Sequence, residues 1–175
     1  PFTRADLTML DRTEVDLRRS RRRGEIRQVV RGVWVDVRIP DTIELRARAV
    51  ARVVRPHHVV TDRTAAWLHG VDTFEDAGDD VVREIEACAL RGHEPSALAG
   101  VDGRTRDLRP SDVMVLGGVA VTTPLRTALD LGCCLRRREA YAAPNELARL
   151  HELTRAECVN VLGRYRRRRG VVQLR

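Results

Sequence analysis

A chain of 175 residues with 43% hydrophobic and only 3% aromatic content has room for one ordinary domain or two small ones. Its core must come from Val, Leu, Ala and Ile, which excludes the aromatic platforms that stack single-stranded bases. The 32 basic residues are all arginine; without a lysine there is no Schiff base, phosphate-loop lysine or lysine-dependent metal-nuclease centre.

From the N-terminus, FTRADLTML sets a Thr3 cap before Leu7 and Leu10, which predicts a short amphipathic helix. A second helix is predicted at once: Thr13 and Asp16 form a capping box with Asp in the role of Glu, Leu17 is the inward position and Gly24 the stop. EIRQVVRGVWVDV then carries Val29, Val33 and Val35 in strand phase around Arg31-Gly32, a hairpin signal. Together these predict a winged helix-turn-helix over residues 1–38. After Pro40-Asp41, TIELRARAVARVV has Ile43, Ala47, Val50 and Val54 at helical spacing and opens an α/β unit over residues 41–175. HHVVTDRTAAWLHGV reads as a short strand, a Thr61 cap and a small-residue helix ending at Gly70. Residues 72–80 are acidic and loop-like, with strands expected over Val81 to Leu90 and Arg104 to Leu108. DVMVLGGVAVTTPL predicts two strands about Gly117-Gly118, then a helix capped by Thr123 with Pro124 at its first position. The remainder is helical: Pro124 to Cys134, Arg136 to Leu150 with Pro144 kinking or splitting it, and Thr154 to Tyr165 opened by the TRAE box. The fold class expected is α/β (α+β), a winged helix-turn-helix followed by a mixed α/β domain whose C-terminal part is helical.

The net charge of +7 is uneven, with nine arginines against five acids in residues 1–31 and seven against one in residues 155–175, so the middle sums to −3. That asymmetry suggests a polyanion partner. Arg18, Arg19, Arg21, Arg22 and Arg23 cannot all share one helical face. Such a run is either solvated surface or a set of phosphate and groove contacts, and its place on a recognition helix, with Arg27 and Arg31 on the wing, favours double-stranded DNA. Periodicity groups Arg18 with Arg22 as base-reading candidates and Arg19 with Arg23 as phosphate-holding ones. Arg166, Arg167, Arg168 and Arg169 are a second phosphate contact or a basic helix end.

The enzyme inventory is thin. His57, His58, His69, His93 and His151 show no metal-ligand spacing, and His69 beside Gly70 suits capping or packing. Asp79, Asp80, Glu84 and Glu86 suggest either a metal site or a polar edge, and Ser20, Ser96 and Ser111 lack a nucleophile-elbow context. No catalytic residue, metal or cofactor is expected. Cys88, Cys133, Cys134 and Cys158 have no Cys-x-x-Cys spacing and read as reduced cysteines of a cytoplasmic protein, with neither signal peptide nor membrane run.

Three segments in order, GEIRQVVRGVWV, VTDRTAAWLHGV and GGVAVTTPLRTALDLG, resemble the bacterial abortive-infection AbiEi-type antitoxin family and related proteins that carry the same front half ahead of a Vsr-like endonuclease domain. The resemblance spans nearly the whole chain. It implies a winged helix that binds promoter or operator DNA, with Thr13, Arg18, Arg19, Arg22 and Arg23 on the helix and Arg27 and Arg31 on the wing facing it, and an α/β domain in support. Ser20 and Arg21 stand where the family pattern usually has apolar residues, and Pro144-Asn145 interrupt a usually continuous helix. The chain stops about where the long relatives begin their nuclease core. The resemblance thus implies a transcriptional repressor or antitoxin without enzymatic activity. The alternatives are the DNA-targeting portion of a nuclease whose catalytic domain is absent here, and an interaction module for a cognate toxin.

Overall fold

A computed structural model describes residues 1–73, 84–97, 99–166 and 168–174. The fold is mixed α/β with two sheets. At the N-terminus the expected first helix is only a 3-10 turn, Arg4–Asp6, because the chain winds through successive turns and reverses at Asp11, whose φ is 50°. Leu7 nevertheless turns inward. The first α-helix, α1 (Glu14–Arg22), starts where the capping box places it: the Thr13 N–H and hydroxyl both donate to Asp16 Oδ2, at 2.9 and 2.7 Å, and the Asp16 N–H returns to the Thr13 hydroxyl. It ends at Gly24, whose φ of 66° is the left-handed conformation a side chain resists.

Strands β1 (Ile26–Val30) and β2 (Val33–Asp36) form an antiparallel hairpin, with Val30 opposite Val33 across the Arg31-Gly32 turn. Helix α2 (Ile43–Ala51) follows, capped by Thr42. Strand β3 (His58–Val60) leads into α3 (Asp62–Leu68). Strand β4 (Ile85–Ala89) lies within the expected 81–90 segment, whose residues 81–83 fall outside the described ones. Strand β5 (Val101–Thr105) begins three residues earlier than expected, because its register is set by parallel pairing to β4, Ile85 opposite Val101. Strands β6 (Val113–Leu116) and β7 (Val119–Thr122) form the second hairpin, where Gly117 and Gly118 both take positive φ, 55° and 85°, as a type I′ turn requires. The helices α4 (Pro124–Cys134), α5 (Glu139–Leu150) and α6 (Arg155–Leu162) complete the chain, with a 3-10 turn at Gly163–Tyr165 and another at Val171–Leu174. Pro144 neither splits α5 nor ends it: Ala140, Ala143 and Leu147 pack with Ala128, Leu131 and Leu135 of the α4 segment, which outweighs one missing backbone hydrogen bond.

The larger sheet runs β5-β4-β3-β7-β6, with β3 antiparallel to β4 and parallel to β7. Its core is continuous with the hairpin. Val29, Val30, Val33 and Val35 belong to one buried cluster with Leu45, Ala47 and Val50 of α2 and with Val60, Ile85, Val119 and Val121 of the sheet. The N-terminal residues have a small cluster of their own, Leu7, Leu17 and Trp34 with Phe2 and Ile26 against it. The hairpin is therefore seated on the α/β unit, and α1 hangs on the hairpin's other side.

Candidate nucleic-acid interface

On α1, Leu17 is the single buried side chain. Beyond that anchor, α1 is fastened by its cap, by the Arg4–Glu14 ion pair at 3.2 Å and by the bonds between Ser20 and Glu25. Arg18, Arg21 and Arg22 are exposed and line one open depression. Spacings of three and four residues put them on one side of the helix, and among the described residues none forms an ion pair or hydrogen bond with these three guanidiniums. Arg19 and Arg23 differ, each standing near an acid: Arg19 is 4.0 Å from Asp16 and Arg23 is 3.6 Å from Glu25. Ser20 is half-buried and donates to Glu25 at 2.8 Å, and so turns away from the depression. Thr13 spends its hydroxyl on the cap.

The hairpin arginines have structural attachments. Arg27 is half-buried and donates to the Ile39 carbonyl at 3.0 Å. Arg31, exposed at the turn, lays its aliphatic stem where a Cβ on Gly100 would stand. The second arginine run divides. Arg166 and Arg169 are exposed, Arg167 lies outside the described residues, and Arg168 points inward, donating to Asp130 at 2.6 Å with its guanidinium over the Tyr165 ring. Arg168 is thus a packing residue, because a carboxylate that is 1% exposed claims it more strongly than water does.

That carboxylate belongs to a buried chain of charge absent from the sequence-based expectations. Asp130 accepts from Arg126, Arg106, Arg168 and the Tyr165 hydroxyl, at 3.0, 2.9, 2.6 and 2.7 Å. Arg106 also grips Asp62 with both terminal nitrogens. Arg126 reaches Asp112 at 2.9 Å, and Arg164 holds Asp112 from the solvent side at 2.7 Å. Burial pushes the Asp112 carboxyl up, but the bonds from Arg164, the Arg109 N–H and Arg126 outweigh it and hold it at about 2. The chain joins α3, the segment after β5, the turn before β6, α4 and the C-terminal turns. Its carboxylates are neutralised by guanidiniums, so the cluster is suited to bracing and poorly suited to proton abstraction. The weak signal for it in the sequence was the four-residue spacing of Arg126 and Asp130.

The remaining candidates disperse. His69 caps the end of α3, is buried, and its Nε2 lies 2.7 Å from the Thr122 carbonyl. Glu86 accepts from the Arg63 N–H, Glu84 is exposed, and Asp79 and Asp80 lie outside the described residues. Among the described residues no group of three or more His, Cys, Asp or Glu is arranged to hold a metal ion, and no helix is long and apolar enough to cross a membrane. No family model matches the sequence, and no curated protein matches it.

Proposed function

We propose that the chain binds double-stranded DNA through α1 and the β1-β2 hairpin, which serve as the recognition helix and wing of a transcriptional repressor or AbiEi-like antitoxin, without nuclease activity of its own. The observation that carries this reading is the set Arg18, Arg21 and Arg22: three unpaired guanidiniums around one open depression, on a helix tethered by one buried leucine. Cations that meet no acid among the described residues are available to phosphates and to guanine edges, which guanidinium meets bidentately. Arg19 and Arg23, already near Asp16 and Glu25, gain less from a phosphate. Arg31 at the hairpin turn supplies an adjacent backbone contact. The shared core beneath the hairpin keeps this surface from bending away, so less ordering cost is incurred on binding.

Selection of bound sequences from a random duplex library tests the proposal. Enrichment of one motif, bound at least a thousandfold (~10³) more tightly than scrambled duplex, is the expected result. Equal affinity for every duplex, or none for any, contradicts it. Incubation with supercoiled plasmid and Mg²⁺ or Mn²⁺ is expected to leave the plasmid intact.

A further inference from the structure

Three imidazoles meet where β3 begins. His57 and His58 enter the sheet in succession, and His93 reaches them from the segment after β4. The ring centroids lie 4.6 Å apart for His57 and His58 and 4.7 Å apart for His57 and His93, with planes inclined by 42° and 20°. His58 is 2% exposed, and among the described residues neither of its ring nitrogens makes a hydrogen bond of ordinary geometry, the Glu94 backbone being a polar neighbour that opposes the loss of charge. His57 is half-buried and His93 exposed. The backbone joins the same two segments where the Leu90 N–H donates to the His57 carbonyl at 3.4 Å, and the His93 N–H closes a local turn onto the Leu90 carbonyl at 3.0 Å.

The stacking decides what the cluster can take up. A metal ion needs in-plane lone pairs that converge on one point. The nearly parallel rings of His57 and His93 set theirs side by side instead. Neutral imidazoles attract through face contact. Imidazoliums at the same separation repel, and the charged groups facing the buried ring, Arg55 on the approach to β3 with His57 and His93, add to that repulsion; the Glu94 backbone opposes it. We propose that His57, His58 and His93 form a proton-sensitive latch, stacked and closed while neutral and opened by protonation, that fastens residues 90–97 to the start of β3.

The sign of the effect follows from burial, which, with His57 beside it, holds the His58 imidazole below its ordinary range. The folded state then binds fewer protons than the unfolded one. The latch contributes stability above the unfolded value of about 6.5 and loses it as pH falls through that value.

The test is amide hydrogen exchange on the full chain at pH 7.5 and 5.0, corrected for intrinsic pH dependence, read at Leu90 and His93. Wild-type protection at these two amides is expected to fall at least tenfold at pH 5.0 and to fall less than twofold in His93→Gln. Unchanged wild-type protection, or an equal fall in the variant, overturns the proposal. Should His93→Gln not fold, imidazole titration of the wild type by NMR decides: the Leu90 and His93 amides shift together with the His58 ring if the latch exists, and independently of it if it does not.

Discussion

Arginine plays two opposite parts in this molecule. On α1, Arg18, Arg21 and Arg22 are close together in the sequence, exposed, and without a partner among the described residues. In the α/β unit, Arg106 and Arg126 have side chains 12% and 9% exposed and are pinned between Asp62, Asp130 and Asp112. The first group is conspicuous as a run of letters, and the second is scattered over the chain. The difference teaches that a charge run reports local density of charge, whereas a charge network is made by folding and shows only in space.

The comparison is sharpened most by removing an acceptor from the buried group. Asp130→Ala leaves Arg106, Arg126 and Arg168 with one fewer carboxylate in a nearly dry site, and is expected to cost about 3 to 5 kcal/mol in urea denaturation. A loss under about 1 kcal/mol would show the network to be solvated, and the contrast with α1 would collapse. Leu17→Ala attacks the exposed group through its anchor. It opens a gap against Leu7 and Trp34 and should cost about 2 to 5 kcal/mol, with the helical signal of α1 disappearing first. Acid titration reads the Asp112 end. Because its carboxyl is held at about 2 rather than near 3.8, its contribution is present above pH 4 and disappears as the pH falls towards 2, amounting to about 2 kcal/mol. Arg164→Ala should shrink that acid-sensitive part. The smallest effect belongs to Arg18→Ala/Arg21→Ala/Arg22→Ala, expected to change stability by less than about 0.5 kcal/mol because these side chains are exposed and pair with none of the described residues.

Most local signals were legible in the sequence, although the Thr3 cap opens only a 3-10 turn and Thr61 makes no side-chain capping bond, and non-local ones were not. The Thr13, Thr123 and Thr154 caps, the Gly24 stop and both hairpin turns stand where the residues indicated, since each depends on a few neighbouring backbone angles and one short side chain. The parallel pairing of β3 with β7, Val60 opposite Val121, and the register of β5 depend on partners far along the chain, and periodicity carries no information about them. The same is true within the candidate site. The sequence placed Arg18 and Arg22 on one face, and the same periodicity adds Arg21 and sets Asp16 one turn before Arg19, but that Arg23 stands beside an acid depends on where Glu25 falls after the turn. Arg168 shows the limit from the other direction: inside a run that reads as surface, it is drawn into the core by an aspartate 38 residues away.

The most direct test of the account is the salt dependence of duplex binding, followed by fluorescence anisotropy over about 50 to 200 mM salt. If Arg18, Arg21 and Arg22 each neutralise a phosphate, removing each one flattens the slope of log K against log salt by about 0.9 unit. Arg18→Ala/Arg21→Ala/Arg22→Ala is therefore predicted to reduce the slope by nearly three units, and Arg19→Ala/Arg23→Ala by less. An unchanged slope in the triple variant, with binding retained, would contradict the account and leave the α1 arginines as solvated surface.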